Sequence, residues 1–164
     1  MAKKEKTLND LFHDTLKDVY FAEKKILSAL PRMAKAARSV ELRTAIEEHR
    51  LQTEGHVQRL DEVFQMIDAK SQASTCEAII GIVKEGEEVI KEFKDSPALD
   101  AALLAAAQAV EHYEISRYGT LRTWAEQLGL LEAVPLLNQT LEEEKETDKR
   151  LTDIAVADIN QEAA

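Results

Sequence analysis

The sequence predicts an all-α protein built from a few long helices. The chain has 164 residues, but only 5 Gly and 3 Pro interrupt it, so turns are few and the elements between them must be long. Its commonest residues, Ala, Leu, Glu and Lys, all favour helices. Apolar residues also recur three and four positions apart, which is the period of a helix with one buried face. A chain of this length suits a single domain with a substantial core, 1–164.

The first half of the chain predicts a helical hairpin, residues 7–37 and 40–68. Thr7 with Asp10 resembles a capping box at the start of the first helix. Pro31 predicts a kink or an early end there, because proline cannot donate the helical hydrogen bond. The join between the two helices is short, so we expect them to be antiparallel neighbours.

Three more helices are predicted, over residues 75–93, 97–128 and 132–159. Ser74 with Glu77 resembles a second capping box, for the shorter helix 75–93. Ser96 and Pro97 resemble an N-cap and a first helical residue, and Gly129 a helix stop. The chain thus reads as two long hairpins joined by a crossover of roughly 28 residues. This organisation predicts a ferritin-like antiparallel four-helix bundle with an extra helix in the long crossover between helices 2 and 3.

Charge and composition exclude several classes of partner. The net charge is −10, from 31 acidic and 21 basic residues, which disfavours binding to nucleic acid or to an anionic membrane surface. No apolar stretch approaches the roughly 20 residues of a membrane span, and no signal peptide is recognisable, so we expect a cytoplasmic protein. The basic start, residues 1–6, is expected to be a solvated tail. The single cysteine, Cys76, excludes an internal disulfide and is expected to be a buried, inert thiol.

Each of the four long helices carries polar residues near the middle of its apolar face. They are Glu23 on the first; His49, Thr53 and His56 on the second; Glu111 and Glu114 on the third; and Glu144 and Asp148 on the fourth. The interval from Glu23 to His56 equals that from Glu111 to Glu144, and the interval from Glu23 to Glu111 equals that from His56 to Glu144. Equal intervals place the polar positions of both hairpins at matching heights in the bundle.

A cluster of carboxylates inside a bundle predicts a metal site. A buried charge costs several kcal/mol unless it is paired, protonated or bound to a cation. Two divalent ions would neutralise the cluster, and carboxylates with one or two imidazoles suit iron or manganese, which bind oxygen or peroxide. The predicted ligands are Glu23, His56, Glu111, Glu114, Glu144 and Asp148. No catalytic residue is assigned, and whether the chain is an enzyme stays open.

A purely structural polar layer is the alternative interpretation. Arg59 and Arg117 could pair with the two carboxylates of the third long helix, and the acidic run 142–146 resembles a solvated face. His49 by itself is more typical of a buried, hydrogen-bonded histidine than of a ligand. Ordinary core packing is expected for two tyrosines on the apolar faces, Tyr20 and Tyr118, with a hydrogen bond to a candidate ligand or a redox role as the alternative.

The ordered set of motifs resembles a known family. The motifs are Asp18-Val-Tyr-Phe-Ala-Glu23, His49 through Leu60, Glu111-His-Tyr-Glu114, Tyr118-Gly, Leu141-Glu-Glu-Glu144 and Asp148. They are similar to those of the YciE/YciF family of ferritin-like proteins. The resemblance implies a ferritin-like bundle, a homodimer and an association with bacterial stress responses.

Rubrerythrins and manganese catalases are more distant relatives by this resemblance. Their metal sites use a Glu on one helix and Glu-x-x-His on the next, twice over. This chain departs from that pattern: His56 is interpreted as standing at the first Glu, with Arg59 three residues on, and Thr147 replaces the His that should follow Glu144. Glu23, Glu111 and Glu144 match the pattern directly.

The sequence is therefore consistent with two main functions. The first is a stress-response protein with a metal site that handles iron or peroxide. The second is a non-enzymatic, dimeric helical bundle that has lost metal binding and acts through protein partners. A cage that stores iron or shields DNA is a third, disfavoured by the acidic charge.

Overall fold

A computed structural model describes residues 5–164, and all regular structure in that range is helical. The all-α prediction is thus confirmed. Five helices of 16 to 29 residues form the body of the protein: α1 Leu8–Ala36, α2 Val40–Met66, α3 Glu77–Glu92, α4 Leu99–Gln127 and α5 Ala133–Ile154. A π-helical turn, Ala155–Ile159, and a short helix, α6 Asn160–Ala163, continue α5. Most of the basic start of the chain, residues 1–4, lies outside the described residues.

The four long helices enclose a common interior. Helix α1 packs against α2 and α4 packs against α5, while α2 also contacts α5 and α1 also contacts α4. Each long helix therefore has two long neighbours. Helix α3, in the crossover, lies against α1 and α4 on the outside of this ring.

Two apolar clusters fill the interior, one at each end of the bundle. One contains Leu16, Leu60 and Leu121, and the other contains Ile26, Leu103 and Leu151. On each long helix, buried carboxylates or histidines fall between the segments that build these two clusters; Thr15, Asp100 and Thr140 are buried elsewhere. A polar layer thus crosses the bundle near mid-height, with apolar packing above and below that keeps water from it.

Local sequence signals set some helix ends and miss others. The Thr7 capping box is present: the backbone N–H of Thr7 donates to Asp10 Oδ2 (2.8 Å) and the N–H of Asp10 donates to Thr7 Oγ1 (3.4 Å). Helix α1 continues past Pro31 to Ala36, so the early end was wrong. Gly129 follows the end of α4 with φ of +72°, the left-handed region that favours glycine.

The starts of α3 and α4 differ from the prediction. Helix α3 begins after Cys76 without a side-chain cap, so the second capping box was wrong. The backbone N–H of Ser74 instead donates to the carbonyl of Lys17 (3.1 Å), which ties the crossover to α1. Ser96 Oγ accepts from the N–H of Ala98 (3.1 Å) in the turn before α4. Both serines therefore stabilise the connection and not the helix that follows.

A buried aspartate, which the sequence did not single out, anchors the turn of the first hairpin. Asp100, at the start of α4, accepts from the backbone N–H of Arg38 at Oδ1 (2.9 Å) and from that of Ser39 at Oδ2 (2.7 Å). This contact joins the α1–α2 turn to the α4 end of the bundle and so sets the height of one hairpin against the other. Within residues 5–164, no helix combines the length and apolar character needed to span a membrane.

Candidate metal centre

In the described part of the chain, seven of the eight buried polar residues with no more than 3% of their surface exposed form the polar layer: Glu23, His49, Thr53, His56, Glu111, Glu114 and Glu144. The eighth, Thr140, accepts from Arg59 beside the layer. All four long helices contribute to the layer. Groups of this kind reach such burial only where each charge has a partner, a proton or a cation. The layer is therefore the part of the fold that calls for a chemical explanation.

Six of these residues form two overlapping groups that could hold metal ions. In the first, one ligand atom each from Glu23, His56, Glu114 and Glu144 lie within 4.8 Å of one another. In the second, the same holds for His49, Glu111, Glu114 and Glu144. Each group thus has one imidazole and one carboxylate of its own, and the carboxylates of Glu114 and Glu144 belong to both. The carboxylates of Glu114 and Glu144 would therefore serve both of two neighbouring cations.

The first group holds its histidine in a defined orientation. The Nδ1 atom of His56 lies 2.9 Å from Glu144 Oε1 and 3.4 Å from Glu23 Oε1. On the other side of the ring, Nε2 donates to Glu143 Oε2 (2.9 Å). Arg59 in turn donates to both oxygens of Glu143 (2.8 Å each). A carboxylate that holds the outer nitrogen of a histidine leaves the inner one free to bind a metal.

Tyr118 is part of the same group and not a simple packing residue. Its hydroxyl is fully buried and donates to Glu23 Oε1. The expectation of ordinary core packing was therefore wrong for Tyr118. The second oxygen of that carboxylate, Oε2, has no hydrogen-bond partner. Tyr20, by contrast, packs edge-on against Phe64 (5.5 Å between ring centroids), as expected.

The second group contains His49, which was expected to be a hydrogen-bonded core histidine. Its Nε2 lies 3.3 Å from Glu111 Oε1 and 3.9 Å from Glu114 Oε2, and its Nδ1 lies 3.8 Å from Glu144 Oε2. Neither nitrogen makes a hydrogen bond of good geometry. The structural interpretation of His49 was thus wrong, and the residue belongs with the candidate ligands. The hydroxyl of Thr53, one turn on, donates to the carbonyl of His49 (2.8 Å).

Burial and mutual repulsion shift the pKa values across the site. Burial, followed by the charge of Glu144, raises the pKa of Glu111 and that of Glu114 well above the ordinary carboxyl value. Burial also opposes charge on Glu144, but the two nearby histidines outweigh it and lower its pKa. Burial opposes charge on His56 too, yet the surrounding carboxylates raise its pKa to about 11, whereas burial lowers the pKa of His49.

The residues present fit a pair of divalent cations. Within residues 5–164, the buried oxygen and nitrogen atoms that make no hydrogen bond of good geometry belong mainly to this site: Glu23 Oε2, both ring nitrogens of His49, Nδ1 of His56, Glu111 Oε2 and both oxygens of Glu114 and of Glu144. Native proteins leave few buried polar atoms unsatisfied. Cations bound between these atoms would satisfy most of them at once. The donor set is oxygen and nitrogen only, which suits first-row metals.

One of the six predicted ligands lies apart from the others. Asp148 is one turn beyond Glu144, but its side chain points to the outside of the layer and is 23% exposed. Its Oδ1 accepts from Gln108 Nε2 (3.2 Å) and lies 3.1 Å from His112 Nε2. Asp148 therefore joins neither group, while the structure brings the other five together. Their role as ligands stays a prediction.

The arginines expected by the structural alternative pair elsewhere. Arg59 holds Glu143, and Arg117 lies over the ring of Tyr113 (5.4 Å to the centroid). Neither neutralises the carboxylates of α4. The part of the acidic run that contains Glu143 is also not a solvated face, because that side chain reaches inward to His56. In the sequence, the one indication that Glu143 holds His56 is the position of Arg59, three residues after His56.

The geometry also changes how the chain compares with the Glu-x-x-His pattern. Because His56 faces Glu23, it takes the place of the histidine of that motif, and Thr53 takes the place of its glutamate. The interpretation of His56 as the glutamate position places it three residues away from this alignment. On α5 the glutamate is kept as Glu144 and Thr147 takes the place of the histidine. On this alignment each hairpin lacks one residue of the motif, and the two candidate groups contain Glu114 and His49 in addition.

Comparison with known proteins places the chain among bacterial relatives. Protein YciF of Escherichia coli K12 is 45% identical over 159 residues, which cover 96% of each chain. The crystal structure of the E. coli stress protein YciF is 44% identical, with a TM-score of 0.90, and covers 95% of this chain and 99% of its own. YcfI of Rhodopseudomonas palustris is 41% identical, with a TM-score of 0.88, and covers 93% and 97%.

A more distant structure shares the fold alone. A protein of Xanthomonas campestris is 21% identical and superposes with a TM-score of 0.74 over 96% of this chain and 100% of its own. The family described as "Domain of unknown function (DUF892)" matches residues 7–164, which is nearly all of the chain. Together with the near full-length likeness to YciF, this match shows that the chain belongs to the DUF892 family.

Proposed function

We propose that this chain is a ferritin-like stress protein whose interior binds two iron or manganese ions and handles iron or peroxide. The observation that carries the proposal is the pair of overlapping ligand groups, which share Glu114 and Glu144. Two hairpins, a long crossover and ligands from all four long helices support the ferritin-like assignment. The stress role rests on the E. coli relative, which is described as a stress protein.

The ligand roles follow from the positions of the side chains. Glu23 and His56 would serve one ion, and Glu111 and His49 the other. The shared carboxylates of Glu114 and Glu144 would bridge the two. When bound, such a pair of ions supplies Lewis acidity and one-electron chemistry towards small oxygen species.

The chain's own residues orient the site and exclude water from it. Glu143 and Arg59 set the ring of His56, and the Tyr118 hydroxyl holds one oxygen of Glu23. The apolar clusters above and below keep the carboxylates dry, so electrostatic attraction to a cation is stronger than in water. We further propose a homodimer, as the resemblance implies, and a cytoplasmic location, as expected from the sequence.

A non-enzymatic bundle that acts through protein partners is the competing function. YcfI of R. palustris, which is proposed to be a structural protein, favours it. The two functions differ in the metal they require. A structural bundle should be as stable with a protonated, metal-free polar layer as with a metal-loaded one.

Metal analysis of untagged protein, purified without chelator, separates the two. We expect about two Fe or Mn per chain, or recovery to that level after addition of Fe(II) or Mn(II). Glu144→Gln should reduce the content of both ions, because its carboxylate belongs to both groups. Asp148→Asn, one turn along the same helix but outside the groups, is the matched control and should keep both. Less than about 0.1 metal per chain without recovery would show that the proposal is wrong.

A further inference from the structure

The two halves of the centre differ in how firmly their histidines are held. The ring of His56 is fixed from behind by Glu143, which Arg59 and Gln139 also hold. Neither ring nitrogen of His49 makes a hydrogen bond of good geometry, although Gln52 lies beside the ring. A ligand that is already oriented loses less freedom when a cation binds, and such supporting contacts typically change metal affinity 10- to 100-fold. The Glu23–His56 half should therefore bind its ion more tightly than the His49–Glu111 half.

A polar cleft reaches the centre at His49. It has a volume of about 120 Å³ between α2 and α5, and its walls are Ala45, Glu48, His49, Gln52, Glu146, Thr147 and Arg150. Two of the lining side chains are carboxylates, which attract cations. Arg150 pairs with Glu48 across the cleft, near its solvent side. Thr147, at the place where the related motif carries a histidine, is shorter than a histidine, and its hydroxyl donates to Gln52 Oε1 across the cleft (3.3 Å).

An apolar cavity reaches the centre on the same half. It has a volume of about 30 Å³, is lined by residues of all five helices α1 to α5, and has His49 and Glu111 in its wall together with Ile26, Val83 and Val110. An ion pair between Arg32 and Glu87 (2.6 Å) lies at its edge. A cavity of this size holds at most one small molecule, and an apolar one prefers an uncharged molecule to water.

We propose that the His49–Glu111 position is the exchangeable half of the centre, which cations reach through the polar cleft and beside which a small uncharged apolar molecule binds. The Glu23–His56 position is the permanent half, which keeps its ion. This inference rests on the proposed function, since it assigns different tasks to the two metal positions of the same site.

A metal titration tests the difference between the halves. Chelator-treated protein is titrated with Mn(II), followed by calorimetry and by the EPR signal of free Mn(II). We expect two steps, one ion in each, with affinities at least tenfold apart. His49→Ala should remove the weaker step and keep the tighter one. Glu143→Gln should weaken the tighter step 10- to 100-fold and leave the weaker one in place.

The outcomes separate the inference from the function on which it rests. If wild-type protein binds no Mn(II) and no Fe(II), the proposed function and the inference are both wrong. If two ions bind but His49→Ala weakens the tighter step, or removes both steps equally, only the inference is overturned. Circular dichroism of each variant establishes that a lost step does not reflect lost folding.

Release kinetics test the cleft. Loaded protein is mixed with excess chelator, and we expect one ion to leave fast and the other slowly. Arg150→Ala, which removes the ion pair across the cleft, should accelerate the fast phase several-fold and leave the slow phase unchanged. Lys149→Ala, at the exposed neighbouring position, is the control and should change neither. A single release phase, or equal acceleration of both phases, would contradict the assignment.

Xenon tests the apolar cavity, because it is a small apolar probe that is visible in crystals. We expect xenon density beside His49 and Glu111 in pressurised crystals of the metal-loaded protein. Gly86, on α3, lines the cavity, and a side chain at this position would begin 3.6 Å from the Cβ atom of Ala106. Gly86→Val should therefore exclude xenon, whereas Gly81→Val, on the open side of the same helix, should not. Absence of xenon from the wild-type cavity would overturn this part of the proposal.

Discussion

Replacing Glu114 by glutamine should stabilise the metal-free protein and weaken the metal-loaded one. Glu114 is fully buried, and burial and the neighbouring carboxylates raise its pKa well above 4.5. Near neutral pH its carboxyl group must therefore take up a proton when the chain folds without metal. Glutamine has the same shape and is neutral in both states, so it avoids this cost.

The magnitude follows from proton linkage. The folded-state pKa lies above the unfolded one, so the stabilising contribution of this group is complete below pH 4.5 and is lost as pH rises. Each pH unit above 4.5 costs about 1.4 kcal/mol until the folded-state pKa is reached, which sets a limit of about 4 kcal/mol at pH 7.5. We expect Glu114→Gln to raise the free energy of unfolding of the metal-free protein by about 1 to 4 kcal/mol there. The melting temperature should rise by roughly 2 to 4 °C for each kcal/mol.

Thermal and urea unfolding of chelator-treated protein at pH 7.5 and at pH 5 provide the assay. The advantage of the variant should shrink at pH 5, because the wild-type carboxyl group is then protonated at little cost. With Mn(II) present the order should reverse, since Glu114 belongs to both ligand groups. Glu62→Gln, on the exposed surface of α2, should change neither value and is the control. A metal-free variant that is less stable than wild type at both pH values would refute the reasoning.

Three further predictions concern metal uptake and the frame of the bundle. Because the pKa values of Glu111 and Glu114 are raised, bound cations must displace protons, and the apparent Mn(II) affinity should fall roughly tenfold or more for each unit by which the pH decreases. Calorimetry in buffers of different ionisation enthalpy counts the protons released on binding, and a count of zero would contradict this prediction. Asp100→Ala removes the acceptor of two backbone N–H groups and should lower the free energy of unfolding, measured in urea titrations, by about 2 kcal/mol. An unchanged free energy of unfolding would mean that water fully replaces the carboxylate as the acceptor. Gly129→Ala should lower the free energy of unfolding by about 1 kcal/mol, because Gly129 has a positive φ, while Gly81→Ala, in an open helical position, should raise it by about 0.5 to 1 kcal/mol. Calorimetric melting of both variants measures whether the two changes have opposite signs.

The sequence was sufficient for the helices and for most of the polar layer. Helix periodicity is a local property, and a residue such as Glu23 or Glu111 that interrupts an apolar face must turn inward with its neighbours. Equal intervals between hairpins then place these residues at one height. The helix starts at Ser74 and Ser96 were placed less well, because the side chain of Ser96 caps the preceding turn and the backbone N–H of Ser74 bonds to Lys17 of α1.

Which members of the layer meet was decided only by the tertiary structure. Asp148 follows Glu144 by one turn, and a small rotation of α5 is enough to send its side chain outward to Gln108. His49 and His56 are two turns apart, about 10 Å along the axis, yet their ring centroids are 6.2 Å apart because both side chains lean into the same layer. The rotation of a helix and the direction of its side chains depend on how neighbouring helices pack, and the periodicity of the sequence does not predict this packing.

The support of the layer likewise depends on contacts between distant segments. Glu143 lies in an acidic run that resembles a solvated face, and only the approach of α2 to α5 brings it to His56 and Arg59. Local sequence thus determined that this protein has a helical frame with carboxylates and imidazoles in its interior. The packing of the helices decided which of them form two overlapping ligand groups, because a metal site is set by distances between side chains far apart in the chain.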